Sequence, residues 1–433
     1  MDGGCIFFSG GKRKREEEDD LISARGRGRP HRRWRHVRLY APLNLDDRLH
    51  WHYSDGRRLE VVSQILAGHV APARRLAFTS FHEPGSASRY KHWLPLPIFD
   101  EIQELVLHFP LAADHPRLLP ASALRFASLR VLDIHNCTFP ASDHARAFPC
   151  LLTRLSLRHV GVGEELLHGM ISNSPGIEEL TLGHRRLSLS SPPRLRCLAV
   201  LVRRFNRRDH EIELDELVIE DAPSLERLLL HEVEYGPSVR ITGPATKLKM
   251  LRCLGTGFPV IELGTSIFKG MVPVSLADQF STVTILGLHM PEPDLNVATG
   301  YLRCFPANLE KLHIKFFVNI WTTPPEDALI CDPSSSAPIE CLDRSLKTVV
   351  LQSYSGVPQH VEFARFFVER ARVLEVIKFY CYCYSVSGCE TSWLRSQRSR
   401  QLNVENSASR RAQVPVRAPV LLALKFLDGR RLL

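Results

Sequence analysis

The sequence predicts a repeating α/β solenoid with a parallel sheet along one face, and three observations point there. At 433 residues the chain exceeds one ordinary compact core, so it is either several domains or an array. An apolar motif, L-x-x-L-x-L, returns a dozen times between residues 102 and 379. Leucine dominates these runs and proline punctuates the stretches between them. Buried strands of an ordinary α/β domain favour Val and Ile and alternate with clear amphipathic helices.

The motif starts at Ile102, Leu129, Leu152, Ile177, Leu195, Leu214, Leu225, Leu248, Val283, Leu309, Leu346 and Leu374. Its last two apolar positions lie two apart, so on a strand they point to one side. The first marks where the chain turns into the strand. One unit cannot bury its own apolar edge, but stacked units form a parallel sheet over a continuous core. The central residues Leu105, Leu132, Leu155 and Leu180 are spaced as expected for leucine-rich repeats, which run about 20–29 residues. The step from Leu217 to Leu228 is short, and those from Leu251 to Leu286 and Leu312 to Val349 are long. The expected fold is therefore an irregular leucine-rich-repeat solenoid, a horseshoe with a parallel concave sheet and variable convex loops. The Asn or Cys that usually follows the strand is clear only at Cys137, so the turns must satisfy their backbone groups in other ways.

Before the repeats, Leu59, Val62, Ile65 and Leu66 have helical spacing, and residues 71–81 alternate like a strand. Residues 1–31 read as a disordered, charge-blocked segment. Net charge is +9, of which residues 1–38 hold +5 and residues 391–433 hold +7, leaving −3 for the body. Nucleic-acid binders more often carry a basic stripe on the folded face, so binding through the basic ends ranks behind protein recognition. Lys12-Arg13-Lys14-Arg15 fits a nuclear import signal, a short and nonspecific pattern. The eleven cysteines show no paired framework, and Cys381, Cys383 and Cys389 lack the usual zinc spacing, so buried free thiols in a reducing compartment are expected. No signal peptide and no apolar run of about 18 residues is present. A cytoplasmic or nuclear protein is expected.

No phosphate-binding loop or nucleophile elbow occurs. Catalytic, cofactor and metal residues are expected to be none; His50, His52 and Asp55 read as surface residues of a polar linker. Candidate partner-binding residues are instead the outward strand positions: His108, Asp133, His135, Ser156, Arg158, Thr181, Val218, Glu220, Leu229, His231, His313 and Lys315.

The C-terminal region carries the most specific likeness. Ser345 to Gly356, followed by Val361 to Phe379, resembles the FBD region that follows leucine-rich repeats in plant F-box proteins. Its skeleton is a strand (Leu346, Val349, Leu351), a Gly turn, a helix (Phe363, Phe366, Phe367, Arg370) and a strand (Leu374, Ile377, Phe379). Trp393 to Arg398 and Asn403 to Gln413 are similar to the tail of grass members. Arg33, Trp34 and Pro42 stand in a stretch that resembles the end of an F-box, whose Leu-Pro opening is missing ahead of it.

This resemblance implies a cap of FBD type on the repeats and no enzyme activity of the chain's own. It also implies an unknown substrate protein as partner and, through the F-box remnant, the Skp-type adaptor of a cullin–RING ubiquitin ligase. A stand-alone interaction protein without a ligase link is the alternative. The expected organisation is a charged N-terminus (1–31), an F-box-like remnant and linker (32–58), irregular repeats (59–340), an FBD-like region (341–390) and a basic tail (391–433).

Overall fold

A computed structural model describes residues 41–46, 54–78, 90–109, 117–140, 151–182, 186–190, 193–201, 216–220, 222–231, 238–242, 246–255, 260–263, 266–269, 272–275, 280, 282–305, 308–316, 339–354, 358–380, 402, 407–409, 411, 413 and 416–417. The chain divides into two compact units between residues 184 and 185.

The first unit contains β1 (Leu43–Asp46), β2 (Ala73–Phe78), β3 (Glu104–His108), β4 (Arg117–Leu118), β5 (Val131–Thr138), β6 (Arg154–Gly161) and β7 (Glu179–Leu182). Six of them pair in parallel in the order β1-β2-β3-β5-β6-β7, and β4 joins the end of β5. The register stacks like on like: Leu105, Leu132, Leu155 and Leu180 are direct neighbours, as are Leu107, Ile134, Leu157 and Leu182. All eight are at most 2% exposed. Each such burial stabilises by roughly 1.5–3 kcal/mol, which is why the motif fixes the stacking. The helix Asp55–Gly68 and the strand at Ala73 realise the two expected elements before the repeats.

The second unit contains β8 (Arg186–Ser190), β9 (Cys197–Leu201), β10 (Glu216–Glu220), β11 (Arg227–His231), β12 (Ser238–Thr242), β13 (Met250–Gly255), β14 (Val260–Leu263), β15 (Ser266–Lys269), β16 (Val272–Ser275), β17 (Ile285–Met290), β18 (Lys311–Phe316), β19 (Thr348–Gln352), β20 (Val376–Tyr380) and β21 (Val416–Arg417). Its main sheet runs β9-β11-β13-β17-β18-β19-β20-β21, and a second sheet runs β16-β15-β14-β12-β10-β8. From β8 to β14 the chain alternates between the two, giving one strand to each in turn. This corrects the expectation for Leu217 and Ile219, whose motif places them in β10 and therefore on the second sheet. The short step from Leu217 to Leu228 is the trace of it, because those leucines belong to different sheets.

At three turns a hydroxyl stands in place of an Asn side chain. There the residue just before the first motif position donates to the carbonyl of the preceding coil's first position. Ser128 donates to the Ile102 carbonyl (3.2 Å), Thr282 to that of Leu248 (2.7 Å) and Ser345 to that of Leu309 (3.0 Å). One carbonyl at each strand start then receives two amides from the next coil, as Gln103 does from Arg130 and Val131, and Glu310 from Lys347 and Thr348. At the far end, Asn136, His159 and Ser353 adopt positive φ of 58°, 53° and 57°. That bend turns the next residue inward, so Cys137, Val160 and Tyr354 are buried. Asn visits this region readily, and the Asn136 amide also donates to the Phe109 carbonyl at 2.6 Å.

The FBD-like skeleton appears as β19, the helix Pro358–Arg370 and β20. Phe363 and Phe367 are fully buried, with Phe363 edge-on to Phe316 at 5.5 Å. The array extends past both expected boundaries. Among the described residues its first strand is β1, inside the stretch read as remnant and linker. Its last is β21 in the basic tail, which pairs with β20, and the Ser409 hydroxyl donates in the same way to the Leu374 carbonyl at 2.6 Å. Cys137, Cys197, Cys304 and Cys341 are buried free thiols, whereas Cys381, Cys383 and Cys389 lie outside the described residues.

Candidate functional site

In each main sheet one face buries the motif leucines, so the intervening residues occupy the opposite, open face. The register arranges them in three rows. In the first unit the middle row is Ala77, Val106, Asp133, Ser156 and Thr181. His108, His135 and Arg158 form the row beyond it, and Arg75, Glu104, Val131, Arg154 and Glu179 the row before.

The last of these rows is ion-paired from strand to strand. Arg75 pairs with Glu104 and, at 3.3 Å, with Asp46, and Arg154 pairs with Glu179 at 2.5 Å. The other two rows meet at Asp133. Its carboxylate oxygens lie 3.4 Å from His108 Nε2 and 3.0 Å from His135 Nε2. The two imidazoles stack at 3.5 Å with planes 3° apart. These nitrogens are close to the carboxylate but misaligned for hydrogen bonding, since neither Nε2 nor Asp133 Oδ1 has a partner of good geometry. Burial raises the Asp133 pKa, but the two histidines more than offset this and hold the carboxyl well below its usual range. Burial lowers His135 to about 4, against the pull of Asp133, so the ring is neutral at pH 7.

His108, Asp133 and His135 are also the one three-donor group among the described residues that could hold a metal ion. Two nearly parallel rings direct their lone pairs side by side. A shared tetrahedral ion with Zn–N near 2.0–2.1 Å needs converging donors, so at least one ring would have to turn. The arrangement as it stands is a carboxylate–imidazole clasp on the open face.

In the second unit Ala199, Leu229 and Arg252 form one row and Gly287, His313, Val350 and Lys378 another, the register shifting between β13 and β17 after Leu251. The neighbouring row holds His289, Lys315, Gln352 and Tyr380, and Lys311 lies two residues before His313 on β18. Gly287 has no side chain, so Arg252 reaches across β17 and its Nη2 stands 3.5 Å from His313 Nδ1. The guanidinium donates, which makes Nδ1 of a neutral imidazole the acceptor. Arg252 and His313 are each only 7% exposed. Burial first, then Arg252, Lys311 and Lys378, holds His313 well below its ordinary pKa. Lys311 is lowered likewise by burial, then by Lys378 and Arg252.

Of the twelve residues expected to face a partner, nine lie on the open faces of the main sheets. His108, Asp133, His135, Ser156, Arg158 and Thr181 share one face in the first unit; Leu229, His313 and Lys315 stand on that of the second. His231 ends β11 in register with Leu201. Val218 and Glu220 are corrected to the second sheet, where they pair with Arg240 and Thr242 of β12. Pro42 is exposed just ahead of β1, while Arg33, Trp34, His50 and His52 lie outside the described residues. Sequence reasoning missed Arg252, Lys311 and Lys378. Each neighbours a motif leucine by one residue, a signal sufficient to place it on the open side.

The family model "FBD-associated F-box protein At5g56370, LRR repeats" matches residues 90–314, and the FBD model matches residues 333–379. An Arabidopsis thaliana protein that bears the name F-box/FBD/LRR-repeat protein At4g00315 is 26% identical over 162 residues, a stretch covering 36% of each chain. The chain thus spans about a third of the length of that curated relative. No described helix is long and apolar enough to cross a membrane. With the repeat model covering just over half of its length and the FBD model the region after it, the chain belongs to the plant F-box/FBD/leucine-rich-repeat family.

Proposed function

We propose that this protein is a recognition scaffold, the substrate-binding arm of a cullin–RING ubiquitin ligase of the SCF type, and not an enzyme. The observation that carries the reading is the pair of open sheet faces, where polar and ring-bearing side chains stand buried or half-buried in register. Such a mixture suits protein partners. The family name supplies the ligase link, with the segment around Arg33, Trp34 and Pro42 docking on the Skp-type adaptor.

Reconstitution tests this directly. Full-length protein mixed with a purified Skp-type adaptor and cullin is expected to form a ternary complex, and Trp34→Ala is expected to weaken it at least tenfold. Capture of a client protein with no adaptor binding would establish the stand-alone interaction protein instead. The reading of the basic ends as nucleic-acid arms requires steeply salt-dependent RNA or DNA binding that vanishes when residues 1–33 and 391–433 are removed.

A further inference from the structure

We infer that the open face of β13, β17, β18, β19 and β20 is a seat for an acidic or phosphorylated segment of the partner protein, gripped by Arg252, Lys311 and Lys378. This rests on the protein-recognition reading above and names the chemistry of the partner.

The charge on that face is of one sign. Its described outward positions on these five strands are Met250, Arg252, Ile285, Gly287, His289, Lys311, His313, Lys315, Thr348, Val350, Gln352, Val376, Lys378 and Tyr380, with no carboxylate among them. The nearby acids Glu310 and Glu375 stand one residue before the strands, and Glu310 is paired with Lys347 at 2.9 Å. The cations stand on alternate strands, β13, β18 and β20, close enough to repel through the partly buried face, and burial adds desolvation to that repulsion. Lys311 and His313 record both effects in their lowered proton affinities. A bound anion offsets the repulsion and supplies the counter-charge that buried cations need.

The spacing suits an extended polyanion. Lys378 lies two strands from His313 in the same row, with Val350 between them, a gap of about 9–10 Å at the usual strand separation. Arg252 reaches in from the other side, so the cationic groups span β13 to β20 and match several negative groups along a peptide better than one small ion. Arg252 supplies a planar fork suited to phosphate or carboxylate, and the lysines supply mobile ammonium groups. Buried Val350 and the buried His313 ring floor the seat between them.

The test is a titration of the full-length protein with a synthetic peptide bearing three phosphoserines, its unphosphorylated form, its Glu-substituted form and a single-stranded RNA of equal charge. Expected results are binding of the phosphorylated and Glu forms but not the unphosphorylated one, and a five- to tenfold loss with Lys311→Gln or Lys378→Gln. Arg154→Gln, on the ion-paired face of the first unit, is expected to change nothing. Melting curves confirm that the variants fold. As a readout free of substitution, the peptide is expected to shield the Lys311 and Lys378 amines from acetylation, read by mass spectrometry.

Equal affinity for the unphosphorylated peptide, unchanged binding in both lysine variants, or RNA outcompeting the peptide would each overturn the inference. Adaptor capture is measured on the same preparation. Capture without anion-dependent peptide binding removes the seat alone, whereas peptide binding without capture removes the ligase assignment alone.

Discussion

On the open face of the first unit Arg75 is held by Asp46 and Glu104, Arg154 by Glu179, and two histidines close on Asp133. On the open face of the second, Arg252, Lys311, His313 and Lys378 crowd together without a carboxylate at the described outward positions of β13 to β20. The backbone scaffold is alike in both, parallel strands in leucine register with a carbonyl that receives two amides at the strand starts, although a register shift between β13 and β17 interrupts the second. Charge pairing is what differs. The first face is ion-paired across its strands, whereas the described outward positions of the second carry charge of one sign, the feature on which the proposed acidic segment rests.

The largest expected effect probes the closed face. His135 is held at about 4 from an ordinary 6.5, so between those values the unfolded chain takes up a proton that the folded one refuses. Stability should fall as pH drops through that window, by about 2–3 kcal/mol between pH 7 and 4.5. His135→Gln should remove that share of the slope in urea unfolding; an unchanged slope would show that the clasp does not control it. Next in size is a feature common to both units. Ser128→Ala and Ser345→Ala should each cost about 1 kcal/mol, and a clear inequality would mean the hydroxyl contact is not equivalent in the two.

The smallest effect is the most diagnostic because its sign reverses. Arg154→Gln should destabilise by ~0.5 kcal/mol through loss of an ion pair. Lys311→Gln should stabilise by a similar ~0.5 kcal/mol through loss of like-charge repulsion. Chemical denaturation of the two variants beside the parent reads both, and equal signs would erase the distinction between the faces.

The strands of the main sheets were legible because the motif leucines are buried in register, and i, i+2 arithmetic then placed nine candidate residues on the open faces. The second sheet was not legible. Leu217 and Ile219 satisfy the same motif as Leu228 and Leu230, and a local apolar pattern says that a strand is buried without saying in which sheet. The tail strand at Val416 was hidden because two residues carry too little periodicity. The cationic seat was half legible: the motif orients Lys311 and Lys378, but the approach of Arg252 to His313 requires knowing that β13 and β18 flank β17 at Gly287. Strand order is a tertiary fact that spacing does not encode.

The carbonyl that accepts two amides from the next coil, with the hydroxyl beside it, ties each coil of a main sheet only to its immediate neighbours. Such a chain behaves as a one-dimensional material. A coil can be gained, lost or resurfaced and its neighbours need only present the same leucine row. Faces of different electrical character can therefore be written on one scaffold by changing the residues between the leucines, with no redesign of what holds the coils together.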